Sequence, residues 1–295
     1  MKSSMVLIGL CLTGLVKAEI IDEAADADPR GRVEVSNVSG DVVVRGWDEA
    51  RIRVTGTLGD GAERLDFVRD GKHTLIKVVY PDEHHHDADT DLDIQVPEGS
   101  DLRVTGVSAD IDVENVRGVQ NLQTVSGEVV AEVFGADFEA RTVSGDIEVH
   151  GQRQSTLVTI ITVSGDVDIM ETGGELEASA VSGDIDVVAG TLSRARLRTT
   201  NGDITLGGEL ERGGRLDGET VNGDVEVMLA DASNVEINVE TFNGDIDHCF
   251  DVQVERKSRY GPGRELRVTR GDGESSVRIK TLNGDVEICG AGGNR

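Results

Sequence analysis

The chain has 295 residues, a formal net charge of −27, 37 glycines, four prolines and only 3% aromatic residues. So negative a chain, lacking a basic stripe, is a poor partner for nucleic acid or for anionic lipid. With so few aromatics the core must be built from Val, Ile, Leu and Ala, which suits thin layered packing better than a thick globular interior.

At the N-terminus, Lys2, an apolar run over residues 5–16 and the small residue Ala18 read as a Sec-type signal peptide over residues 1–18. The run is too short to span a bilayer comfortably. Cleavage after Ala18 removes Lys2 and Lys17 and takes the charge from −27 to −29. Leu10 before Cys11 fits a lipobox poorly, so a lipoprotein is not expected. The expected location is the periplasm, the cell surface or the medium, with no integral membrane segment after cleavage.

Residues 19–31 are acidic and without period, and are expected to be a flexible leader. Over residues 32–100 the period is two: Val33, Val35, Val42 and Val44, then Ile52 and Val54, Leu65 and Phe67, and Leu92, Ile94 and Val96, with turn residues between. This region is expected to be an antiparallel β cap that contains a first repeat at Ser39-Gly40-Asp41.

Residues 101–290 form a repeat array. The phrase Thr-Val-Ser-Gly-Asp/Glu recurs around Gly127, Gly145 and Gly165, and Val-Ser-Gly-Asp around Gly183. An Asn-Gly-Asp form follows at Gly202, Gly223, Gly244 and Gly284. Intervals of 18 to 21 residues, with a last one of 40, specify stacked units that bury their apolar sides against each other. The fold class expected is all-β, a single-stranded parallel β-solenoid. Counting from each Gly, apolar residues fall at +2 and +4, and also at −5 and −2, as in Leu122 and Val125 or Ile160 and Val163. The last two differ in parity, so a corner at −3 to 0, with Gly40 and the array glycines as its turns, is expected to bring both inward.

These phrases, with V-S-G-D-V-x-V-x-G-W at residues 38–47 and the closing V-R-I-K-T-L-N-G-D-V, resemble the bacterial DUF4097 family of β-strand-repeat proteins. They are similar also to the related auto-transporter adhesin, head GIN domain group. The resemblance spans residues 32–289 and implies an exported parallel β-solenoid. It carries over no catalytic residue.

The chemistry-bearing pattern is acidic. Asp146 and Glu148, Asp166 and Asp168, and Asp184 and Asp186 occupy +1 and +3, opposite in parity to the core, so they are expected to form a solvent-facing wall. Rungs about 4.8 Å apart bring like charges together. Relief comes either from turn amides bonded to the +1 Asp, the favoured reading, or from loosely held Ca²⁺. His84, His85 and His86 are a second metal candidate, weighed against a solvated loop. The Thr recurring at −3 is expected to fill the corner with its methyl while its hydroxyl bonds backbone. Cys249 and Cys289 are expected to be two reduced core residues; a disulfide requires that the 40-residue interval hold one rung and a hairpin.

Paired carboxylates also serve sugar-cleaving enzymes. Here they repeat on every rung, and aromatic platforms are scarce. The expected function is therefore a non-enzymatic, cofactor-free, adhesin-like interaction module, whose partner is an envelope or cell-surface polymer or protein. The alternatives are a divalent-cation-stabilised periplasmic scaffold and, third, a polysaccharide-active enzyme.

Overall fold

A computed structural model describes residues 19–59, 61–81, 89–256 and 262–290, so the signal-peptide segment and His84, His85 and His86 lie outside the described residues. Among those described are twenty-five strands and no helix, hydrogen-bonded into one all-β, solenoid-like repeat.

Each array rung is a pair of short strands meeting at a Ser/Asn-Gly-Asp corner. Gln120–Gln123 and Val129–Val133 flank one corner, Phe138–Arg141 and Ile147–Gly151 the next. Equivalent strands pair in parallel and in register: Val129 with Ile147, Ile147 with Val167, Val167 with Ile185, and Ile185 with Ile204. Because side chains alternate in a strand, this register stacks the +2 residues into one buried column. Before the corner, a second inward column alternates large and small as Leu122, Ala140, Ile160, Ala178, Leu197 and Gly218. Alternation lets neighbouring layers interdigitate. Ile279 continues the column and fills the space left by Gly218, where an added methyl would lie 2.9 Å from Ile279 Cδ1.

Position −2 does not turn inward. Leu122 and Ile160 are buried, whereas Val125 and Val163 are 46% and 43% exposed. The corner bends after Thr at −3, so residues −2 and −1 lie on its outside and only the −5 parity agrees with the core.

The acidic leader is also corrected. Glu19–Asp26 is a strand, paired antiparallel with Arg51–Leu58. It needs little apolar periodicity, since its hydrogen bonds go to an otherwise open strand edge; Ile21 is its one buried anchor, and Asp22 pairs with Arg53 at 3.1 Å.

At both ends the stacking order departs from chain order. The first repeat, Ser39–Trp47, lies between Asp91–Pro97 and Ser108–Glu114. The last, Ser275–Asn283, lies between Ile204–Asn222 and Val235–Asn243. Val235–Asn243 is covered in turn by antiparallel Arg264–Arg270. The 40-residue interval thus holds one rung and a hairpin. Cys249 and Cys289 fall on adjacent rungs with Cα atoms 5.1 Å apart and are disulfide-bonded, not reduced. Closing a loop of this length contributes about 3–4 kcal/mol by chain entropy.

The corner glycines are required by close approach. At Gly165, with φ +151°, a Cβ would lie 2.1 Å from the carbonyl oxygen of Gly145, and Gly183 stands in the same relation to Gly165. The other expected turn glycines, Gly40, Gly127, Gly145, Gly202, Gly223, Gly244 and Gly284, all meet backbone atoms at 2.5 Å or less. Gly165→Ala is expected to cost at least about 3 kcal/mol in urea unfolding followed by circular dichroism, combining backbone strain with a clash that cannot relax. Gly213→Ala, at φ +77° but with nothing within 4 Å, is expected to cost only about 1–2 kcal/mol.

Candidate interaction surface

The corner leaves two backbone groups per rung outside the strand ladder, the Gly carbonyl and the following Asp N–H; side chains of neighbouring rungs take up the N–H along most of the stack and the carbonyl from Gly183 onward. Thr199 Oγ1 donates to the Gly183 carbonyl at 3.1 Å, Thr220 to Gly202 at 3.0 Å, Thr281 to Gly223 at 3.1 Å and Thr241 to Gly284 at 2.9 Å. The Thr hydroxyls thus bond backbone at these rungs; those of Thr142 and Thr162 have no partner. On the other side of the corner, the Asp166 N–H donates to Asp146 Oδ1 at 2.8 Å, Asp184 to Asp166 at 2.8 Å and Asp203 to Asp184 at 2.7 Å. The series runs on through Asp224, Asp285 and Asp245. The amide belongs to the next rung, so each carboxylate ties two rungs together. Where Ser gives way to Asn, the side-chain amides add a ladder of their own, Asn222 to Asn201, Asn283 to Asn222 and Asn243 to Asn283, each at 2.8 Å.

Asp146, Asp166 and Asp184 therefore form one column. Glu148, Asp168 and Asp186 form the next, in direct register. Val130 and Thr205 interrupt the second column on either side. Among the described residues no three His, Cys, Asp or Glu side chains converge as a donor set for a metal ion. The central acid feels its neighbours: partial burial first, then the charges of Asp186, Glu148, Asp166 and Asp146, push the Asp168 carboxyl above the ordinary carboxylate range. The wall before the corner differs, for in one of its columns the charges alternate, although Arg194 and Arg215 lie side by side in another. Arg196 lies 3.5 Å from Glu177 and pairs in register with Asp217, which pairs with Arg278.

Sequence reasoning missed the row outside the corner. In stacking order it reads Val38, Val107, Val125, Val143, Val163, Val181, Thr200, Val221, Leu282 and Phe242, and the nine apolar members are 37–49% exposed. The signal was present in Thr200, a polar residue at a position assigned to the core.

Asp168→Asn tests the acid wall. A carboxyl whose folded pKa is raised binds its proton more tightly folded than unfolded, so it weakens folding at neutral pH, and this penalty fades as pH falls through the folded pKa. The substitution is expected to raise the melting temperature at pH 7 by about 1–3 °C, as for an exposed charge pair. Melts at progressively lower pH should show the gain shrinking toward zero.

The Toastrack DUF4097 family model matches residues 32–211 and again residues 190–289. No curated protein matches the sequence. Among solved structures, a "putative lipid binding protein" from Parabacteroides distasonis is 13% identical with a TM-score of 0.49, over 93% of this chain and 98% of that one. A "putative adhesin" from Bacteroides fragilis is 12% identical with a TM-score of 0.44, over 92% and 97%. Repeat period, corner chemistry and two overlapping matches that together cover most of the sequence agree, and the chain belongs to the Toastrack DUF4097 family.

Proposed function

We propose that the chain is an exported, non-enzymatic, adhesin-like interaction module: a single-chain parallel β-solenoid, closed at both ends by antiparallel strands, that presents long regular walls to a polymer or protein of the envelope or of a neighbouring cell. The observation that carries this reading is the uniformity of the corner. Rung after rung offers the same apolar, hydroxyl or amide, and acidic columns in register, so the surface is repetitive along its length and suited to many weak, equivalent contacts. A catalytic centre singles out one set of groups, whereas here the acids with raised pKa, Asp41, Asp112 and Asp168, lie on different rungs and are raised by burial and by like charges.

Export is supported by residues 1–18 and by the Cys249–Cys289 disulfide, which suits an oxidising compartment. The mature chain is expected to bind purified cell envelopes or intact neighbour cells in a pull-down, saturably and without releasing a product. Absence of binding to every envelope fraction and cell surface tried sinks the proposal.

A divalent-cation-stabilised scaffold is the second reading, favoured by the unrelieved repulsion at Asp168. It predicts a higher melting temperature in millimolar Ca²⁺ than in equal ionic strength of NaCl. Equal midpoints dispose of it.

A further inference from the structure

We propose that the exposed row outside the corner is a self-association surface, and that two copies of this chain pair along it about a two-fold axis parallel to the stack. Nine apolar side chains in ten successive rungs, at about 4.8 Å per rung, make a stripe about 43 Å long. A stripe of that length on a lone soluble chain calls for a covering partner. Burial within the chain does not demand these residues, because Thr200 occupies the row with no loss of the corner.

Spacing selects the partner. An α-helix repeats its side chains about every 5.4 Å along its axis, and an extended strand presents one face about every 6.7 Å. Either drifts out of step with the row within a few rungs. A second copy has the same spacing and stays in step over the whole stripe.

Charge selects the axis. On one side of the row runs the Asp column; on the other lies the column at −4, which includes Arg141, Arg198 and Lys280 as well as Glu219 and Glu240. A two-fold perpendicular to the stack would lay Asp column against Asp column. A two-fold parallel to the stack reverses the order across the contact and lays each Asp column against the other copy's −4 column. Asp146 then faces Arg141, Asp203 faces Arg198 and Asp285 faces Lys280, bases that Glu139, Glu219 and Glu240 already pair within the chain, so the contact extends existing ion pairs. Asp224 and Asp245 face Glu219 and Glu240, but Asp245 is already paired with Arg264.

Four extended residues give the stripe a width of about 13 Å, so the contact covers about 500–600 Å² per copy, the lower end of specific interfaces. The dimer therefore dissociates on dilution. It also strengthens with added salt, because salt screens the repulsion between two mature chains of charge −29 while leaving the apolar contact in place.

Sedimentation velocity on the mature chain, over a concentration series at low and high salt, is the test. The expected result is a monomer–dimer equilibrium favoured by salt and weakened at least about tenfold in the triple variant V143T/V163T/V181T, which keeps its circular dichroism because Thr is native to the row. A wild-type monomer at every concentration, or a dimer undiminished in the triple variant, overturns the proposal. Ser126→Cys and Ser182→Cys, made separately, test the axis. With the two-fold parallel to the stack each residue meets its own mate, and both variants form covalent dimers under oxidation. Failure of both to cross-link overturns the arrangement. Envelope binding that persists in a strictly monomeric protein would uphold the interaction module while removing the dimer.

Discussion

Everything in this fold depends on how closely one corner can lie on the next. At Gly165 the Gly145 carbonyl occupies the place a side chain would need. At that corner glycine alone permits the approach, although Ala109 holds the equivalent place above Gly40, and the approach sets the consequences. A backbone bent so tightly loses its ladder partners for one carbonyl and one N–H per rung, and polar backbone groups left without partners are costly. Thr at −3 and Asp at +1 are the short side chains that reach those two groups from the neighbouring rung. The repeated phrase is therefore a hydrogen-bonding solution, carried by its Asp along most of the stack and completed by its Thr from the Gly183 carbonyl onward, and its Asp is a structural acceptor before it is a surface charge.

The same constraint explains why the two walls differ in charge. After the corner the Asp residues at +1 stack like on like, since one oxygen of Asp146, Asp166, Asp184, Asp203, Asp224 and Asp285 is held by an amide whatever its neighbours carry. Before the corner such a bond is made at Asp101, which accepts from the Val119 N–H, and one column alternates in sign, as in Glu177, Arg196, Asp217 and Arg278. Between the walls lies the apolar row, whose exposure follows from the bend. It is the feature with no evident role inside the chain.

The ends of the stack solve a separate problem. A parallel ladder leaves an unpaired edge at each end, which invites uncontrolled association. Here the first and last repeats sit one rung inside the stack, and strands joined by antiparallel pairing lie outside them, Arg51–Leu58 with Glu19–Asp26 beyond it at one end and Arg264–Arg270 at the other. The disulfide ties the inserted last repeat to the rung beyond it. Edge-to-edge association is thereby opposed.

Periodicity alone determined the class of fold, the rung length, the corner and its glycines, and the outward acid wall, because those depend on contacts that recur at every rung and so leave a repeating mark. The tertiary structure decided what occurs once. Glu19–Asp26 pairs through backbone atoms that any sequence carries, so its acidic composition concealed a strand. The exchange of the last two repeats, and with it the bond between Cys249 and Cys289, depends on where a hairpin folds back, which a count of 40 residues leaves open. Val125 and its stacked equivalents turn outward because of the angle at the corner, and hydropathy cannot report an angle.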